Sequence, residues 1–203
     1  MSDTKSGMFA RIWGALRNPS ARYSLLSLLL IGFASGILFW GGFHTAMDAT
    51  NRLDFCISCH EMRDTVYAEY KETVHYKNRS GVRASCSDCH VPKDWGHKVL
   101  AKINASSDVY HTLMGHANTP EKFESRRMQM AQHQWASMKA SDSRECRNCH
   151  DFDAMGDEAQ KQSNFKRHMA AKQKGKTCID CHKGVAHQLP KEYDEDADPD
   201  ARD

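Results

Sequence analysis

Four short runs constrain this chain more than anything else in it: CISCH at 56–60, CSDCH at 86–90, CRNCH at 146–150 and CIDCH at 178–182. Together they consume all eight cysteines. C-x-x-C-H is the attachment signature of c-type haem. Two sulfurs form thioethers to the porphyrin edge, and the histidine that follows lies under the ring and ligates iron. Zinc is the competing use of paired C-x-x-C runs, but zinc does not call for a histidine after every second cysteine. A redox-active C-x-x-C disulfide belongs in a thioredoxin-like βαβ unit, and no such pattern is present. The runs therefore read as four covalent haem c groups. Cys56, Cys59, Cys86, Cys89, Cys146, Cys149, Cys178 and Cys181 supply the thioethers. His60, His90, His150 and His182 are the proximal ligands.

A second feature sets the setting. From Tyr23 to Phe43 there is no charged residue. As a helix these positions rise about 31 Å, enough to cross the hydrocarbon core of a bilayer. Arg11, Arg17 and Arg22 precede the stretch, with Lys5 further back and only Asp3 opposing them. The positive-inside rule then leaves 1–22 in the cytoplasm and sends everything after Phe43 outward. The apolar run is too long for a cleaved signal, and no A-x-A site follows it. Gly32 and Gly36 form a G-x-x-x-G pattern that suits dimerisation through the anchor. The formal charge of +2 misleads, because each haem brings two propionates. The basic residues are scattered, and no nucleic-acid site is read from them.

The outer part, 44–190, is expected to be one helical, loop-rich domain built from two dihaem units, giving a mainly α chain with a single membrane helix. The spacing suggests duplication. His75 lies 11 residues before Cys86, and His168 lies 10 before Cys178. His187 follows His182 by five, and His97, the less well placed counterpart, follows His90 by seven. His75, His168 and His187 are therefore the distal-ligand candidates, while His44, His111, His116 and His133 read as surface residues. Spacing does not say which distal histidine serves which haem. Helices are expected over Met62–Lys77, over Lys98–Met114 with a stripe of Val99, Ile103, Ser106, Tyr110 and Leu113, and from Pro120 to about Ala140, with Thr119 as N-cap and Phe123, Ala131, Trp135 and Met138 inward. No period-2 strand is seen. Aliphatic side chains are too few for a conventional core, so porphyrins must fill it. The tail 191–203 holds seven acidic residues and reads as solvated, with docking to a basic partner as the functional alternative.

Met62 stands two positions after His60, where a thioether could ligate iron and raise its potential; by spacing alone it is equally the first apolar residue of a helix.

FCISCHEMR, NRSGVRASCSDCHVP, ECRNCH and TCIDCHKGVAHQLP resemble the NapC/NirT family of membrane-anchored tetrahaem cytochromes, from the anchor to about Pro190. The resemblance implies a chain in the bacterial inner membrane, with its haem domain in the periplasm. It would take electrons from a membrane quinol, menaquinol or ubiquinol, and pass them to a periplasmic reductase. For NapC-like members that acceptor is the periplasmic nitrate reductase. NirT-like members are associated with nitrite reductase. The resemblance further implies Met62 as ligand of the first haem, leaving open whether His60 also binds, and points to Lys102 and Asp108 as quinol-site residues. Lys102 would stabilise a quinolate and Asp108 would accept its proton. Six positions apart on an ideal helix, the two diverge by about 120°.

Overall fold

The computed structural model describes residues 22–199, together with 7, 9–11 and 13. Lys5, Asp3 and Arg17, used above to orient the anchor, lie outside the described residues, as do 200–203. The chain divides into two compact units, Met1–Ala49 and Thr50–Asp203.

In the first unit, α1 (Leu25–Ala49) has no buried residue and is apolar enough to cross a membrane. Its 25 residues rise about 37 Å, so it outruns the expected Phe43 by six positions. No helix breaker occurs in 44–49. Its start is set by Ser24, whose hydroxyl accepts a bond from the Ser27 N–H at 3.2 Å, as an N-cap does.

The second unit is helical, with no strand among the described residues. Its elements are α2 (Leu53–Cys56), α3 (His60–Asp64), α4 (Val66–Tyr70), α5 (Cys86–His90), α6 (Trp95–Leu113), α7 (Pro120–Ala140), α8 (Arg144–Arg147), a 3-10 turn (Asp157–Ala159), α9 (Gln162–Gln173) and α10 (Cys178–Cys181). The motifs repeat in kind. The first and third lie where short helices α2 and α8 end, whereas the second and fourth begin helices of their own. The latter two share a capping carboxylate. Asp88 accepts from the Ser85 N–H at 2.7 Å, and Asp180 from the Thr177 N–H at 2.8 Å. Each satisfies a donor that a helix start leaves unpaired.

Three expectations need correction. The helix expected over Met62–Lys77 is two short helices, α3 and α4, because Thr65 leaves helical geometry (φ −110°, ψ −96°) and turns its hydroxyl back onto the Glu61 carbonyl. α6 begins three residues before Lys98, since the Asp94 carboxylate caps the His97 N–H at 3.0 Å; the expected stripe lies on it, exposed at Ile103, Tyr110 and Leu113. The tail is not simply solvated over 191–199. Tyr193 packs on Trp135 with ring centroids 5.2 Å apart, and Asp198 accepts from the Tyr193 hydroxyl at 2.8 Å and pairs with Lys183. α7 matches its expected limits, with the Thr119 hydroxyl accepting from the Lys122 N–H at 3.3 Å.

Polypeptide alone builds little core. Among the described residues only Tyr70, Phe123 and Ile179 are buried apolar side chains. What closes the domain is polar: Arg127 of α7 chelates Glu69 of α4, and Ser143, wholly buried, accepts from the Ile179 N–H at 3.1 Å. Ser143 and Asp142 both hold positive φ (49° and 52°), a costly pair for non-glycine residues.

Candidate haem-binding site

The motif helices adjoin in chain order. α2 packs on α5, and α5 on α8. The Cys56 and Cys86 thiols come within hydrogen-bonding reach, Cys89 lies within electrostatic range of Cys146 and Cys149, and Cys146 of Cys178. Ser143 joins the third motif to the fourth through its bond to Ile179. No cysteine is in a disulfide.

Three of the four motif histidines face a second imidazole. The ring centroids of His90 and His187 are 6.3 Å apart, those of His150 and His75 6.1 Å, and those of His182 and His168 5.9 Å. These separations are too long for stacking contact and too regular for chance. Two imidazoles on opposite sides of one metal ion put their centroids about 6 Å apart, given metal–nitrogen bonds of about 2 Å and a nitrogen about 1 Å from each centroid. The residues present thus fit three bis-histidine haem irons.

The distal rings are also oriented for the task. His187 Nδ1–H donates to the Val66 carbonyl at 3.2 Å, His168 Nδ1–H to Gln160 Oε1 at 2.7 Å, and His75 Nδ1–H to the Val185 carbonyl at 3.4 Å. An acceptor at Nδ1 fixes the proton there and leaves Nε2 as the free ligand, the support that metal-binding imidazoles ordinarily have. Tyr70 steadies the loop of His75, its hydroxyl donating to the carbonyls of His75 (3.0 Å) and Ala84. Burial, seconded by the facing ring, lowers the pKa of His90 (beside His187) and of His182 (beside His168). Burial likewise lowers His187. A neutral imidazole is the form that binds metal.

The pairing crosses the expected duplication. His75 comes from the first half yet faces His150 of the third motif. His187 comes from the C-terminal end yet faces His90 of the second. Only His168 stays within its own half. Val66, Val185 and Gln160 were missed by sequence reasoning: the two valines act through backbone carbonyls, which leave no mark in composition, and the Gln160 amide lies eight residues from His168 with no motif to flag it.

The first motif differs. His60 is 57% exposed at its side chain, and its Nε2 lies 3.5 Å from Glu61 Oε1; among the described residues no imidazole faces it. Met62 lines an apolar cavity with Cys56, Cys86, Cys89, His90 and His187. Lys102 donates to the Thr50 carbonyl at 2.8 Å, and its pKa is lowered by burial against the opposing pull of nearby Cys56. Asp108 is exposed. α6 runs unbroken through both residues, so they stay about 120° apart around it, and only Lys102 adjoins the first motif. His97 is held by Asp94 at 2.6 Å, and His111 pairs with His116 at 2.7 Å; neither arrangement faces a motif histidine.

Residues 18–192 match the NapC/NirT cytochrome c family, N-terminal region. The chain belongs to this family. It is similar to the denitrification system component NirT of Stutzerimonas stutzeri, 55% identical over 91% of this chain and 94% of that protein. It is similar to the cytochrome c-type protein NapC of Escherichia coli K12, 54% identical over 93% and 94%. A putative tetraheme cytochrome of Allochromatium vinosum is 53% identical over 88% of this chain and 96% of its own length. No solved structure matches the chain significantly. The protein is a membrane-anchored tetrahaem cytochrome c that relays electrons to periplasmic reductases.

Proposed function

We propose that this cytochrome oxidises a membrane quinol at its first motif and conducts the electrons through the other three to the periplasmic nitrate reductase. The observation that carries the reading is the inequality of the motifs: three are closed by facing imidazoles, and the first is not. Haem iron, when bound, supplies one-electron transfer between its ferric and ferrous states. Cys56 and Cys59, Cys86 and Cys89, Cys146 and Cys149, and Cys178 and Cys181 hold the four rings by thioethers. His90 with His187, His150 with His75, and His182 with His168 would hold three of the irons from both sides, leaving those positions to conduct. Met62, with His60 or in its place, serves the first iron.

Cys56 follows Ala49, the last residue of the apolar helix, by only seven positions, so a lipid-borne donor suits the first motif. A quinol yields two electrons and two protons on becoming a quinone. Lys102, beside the first motif, stabilises the anion as the first proton leaves. Asp108, around the helix from it, takes that proton through water. The N-terminus is cytoplasmic, the haem domain periplasmic and the membrane the bacterial inner one. A second reading, delivery to a nitrite or other reductase of denitrification, is favoured by the equal similarity to NirT.

The test is stopped-flow reduction of the purified holoprotein by a quinol analogue. Rapid reduction without turnover of nitrate or nitrite by the protein alone is the expected result. Turnover by the cytochrome alone would sink the relay, and no reduction by quinol would remove the donor assignment. Adding purified nitrate reductase then separates the two acceptors.

A further inference from the structure

Arg127 is 9% exposed at its side chain, and the Glu69 it binds is 13% exposed. Their contact is bidentate: Nη1 donates to Glu69 Oε1 at 2.7 Å and Nη2 to Oε2 at 2.6 Å. Glu124 takes a further bond from Nη1 at 3.0 Å. Removing such charges from water is costly, and a buried ion pair often gains no net stability over apolar residues of the same shape. Its value must be sought in what it fixes.

What it fixes is the backbone of one residue. Gln188 N–H donates to Glu69 Oε2 at 2.9 Å, and the Gln188 carbonyl accepts from Arg127 Nη2 at 2.6 Å. The ion pair thus grips both polar groups of the residue directly after His187. The same helix, α4, supplies Val66, whose carbonyl holds His187 Nδ1. One end of the imidazole and the backbone beyond it are therefore tied to one pair of positions about a turn apart on α4, i and i+3, while α7 closes the grip from the other side. Rotation of the His187 ring about its own backbone is opposed at two points.

We propose that Arg127 and Glu69 are positioning residues for the distal ligand of the second haem. They set the plane of His187 relative to His90, now 36°, and through it the ligand field and potential of that one iron. This rests on the reading of His187 as the ligand opposite His90. Lysine cannot reproduce the bidentate fork, whereas Glu69→Gln keeps one acceptor oxygen for the Gln188 N–H and Arg127 Nη2 and gives up the charge and the second acceptor, which takes Arg127 Nη1.

The test uses full-length holoprotein with four haems, read by low-temperature EPR and a spectroelectrochemical titration. Arg127→Lys should move the g-values of one low-spin signal and shift one midpoint potential, leaving the other three unmoved; Glu69→Gln should move the same haem less. His187→Ala, run in parallel, should add one high-spin haem. If His187→Ala adds none, the ligand reading fails and the clamp fails with it. If it adds one but Arg127→Lys and Glu69→Gln move nothing, the clamp alone is wrong. Changes spread over all four haems, or loss of haem from both conservative variants, would overturn positioning in favour of a general folding role.

Discussion

The first motif and the later three use the same five-residue signature and end in different surroundings. His90, His150 and His182 each look across about 6 Å at another imidazole. His60 looks at solvent and at Glu61. The covalent attachment chemistry is thus repeated, and the sixth coordination position is what varies. A site closed by two histidines has no position for substrate and is suited to conduction. The unclosed one, next after the apolar helix in sequence, is suited to receive. On the proposed reading, this difference in ligand supply marks the first motif as the entrance.

Abolishing the closure of a conducting site should have the largest effect. His75→Ala or His168→Ala is expected to turn one low-spin haem high-spin and to slow delivery to the acceptor by more than about 100-fold, beyond the roughly 10–100-fold typical of losing a second-shell partner; EPR and stopped-flow reduction read both. Next comes the entrance. Lys102→Met should slow reduction by quinol by up to about 100-fold, the scale of one anion-stabilising donor, while leaving reduction by dithionite and all low-spin signals as they were. A change in those signals would blur the distinction between entrance and wire. Gln160→Ala probes the support of a conducting ligand. It should shift the potential of the fourth haem alone, with delivery slowed by about 10-fold, the low end of the range for a lost supporting partner.

The smallest effect is on acid stability. Burial raises the Glu69 carboxyl pKa, but the bonds from Arg127 and the Gln188 N–H outweigh it and hold the pKa below its ordinary 4.5. The unfolded chain then binds more protons than the folded one between the two values, so stability rises with pH across that window. The contribution is fully present above about pH 4.5 and is lost as pH falls through the folded pKa. Thermal melts of the holoprotein should show this slope, and Glu69→Gln should flatten it.

The motifs, the anchor, α7 with its Thr119 cap and the all-helical class were readable because each is local: a fixed spacing, a run of apolar residues, a cap directly before a proline. The ligand pairing was not. His75 lies before Cys86 in the chain and beside His150 in space, and nothing in one dimension signals that exchange. Val66 and Val185 act through carbonyls that every residue possesses. The break at Thr65 came from a hydroxyl competing for its own helix. α6 shows a different failure: its apolar stripe has helical period and is exposed nonetheless, because periodicity reports which residues share a face and not what covers it.

Ser143 has a consequence beyond packing. One hydroxyl with no solvent contact, on a backbone bent into the left-handed region, ties the start of the third motif to the second residue of the fourth. Electron tunnelling decays exponentially with the gap crossed, so a fluctuation of a fraction of an ångström between neighbouring sites changes the hopping rate more than an equal displacement elsewhere. On the proposed relay, a pin at this junction would narrow that distribution and let the step between the third and fourth motifs run at a uniform pace from molecule to molecule.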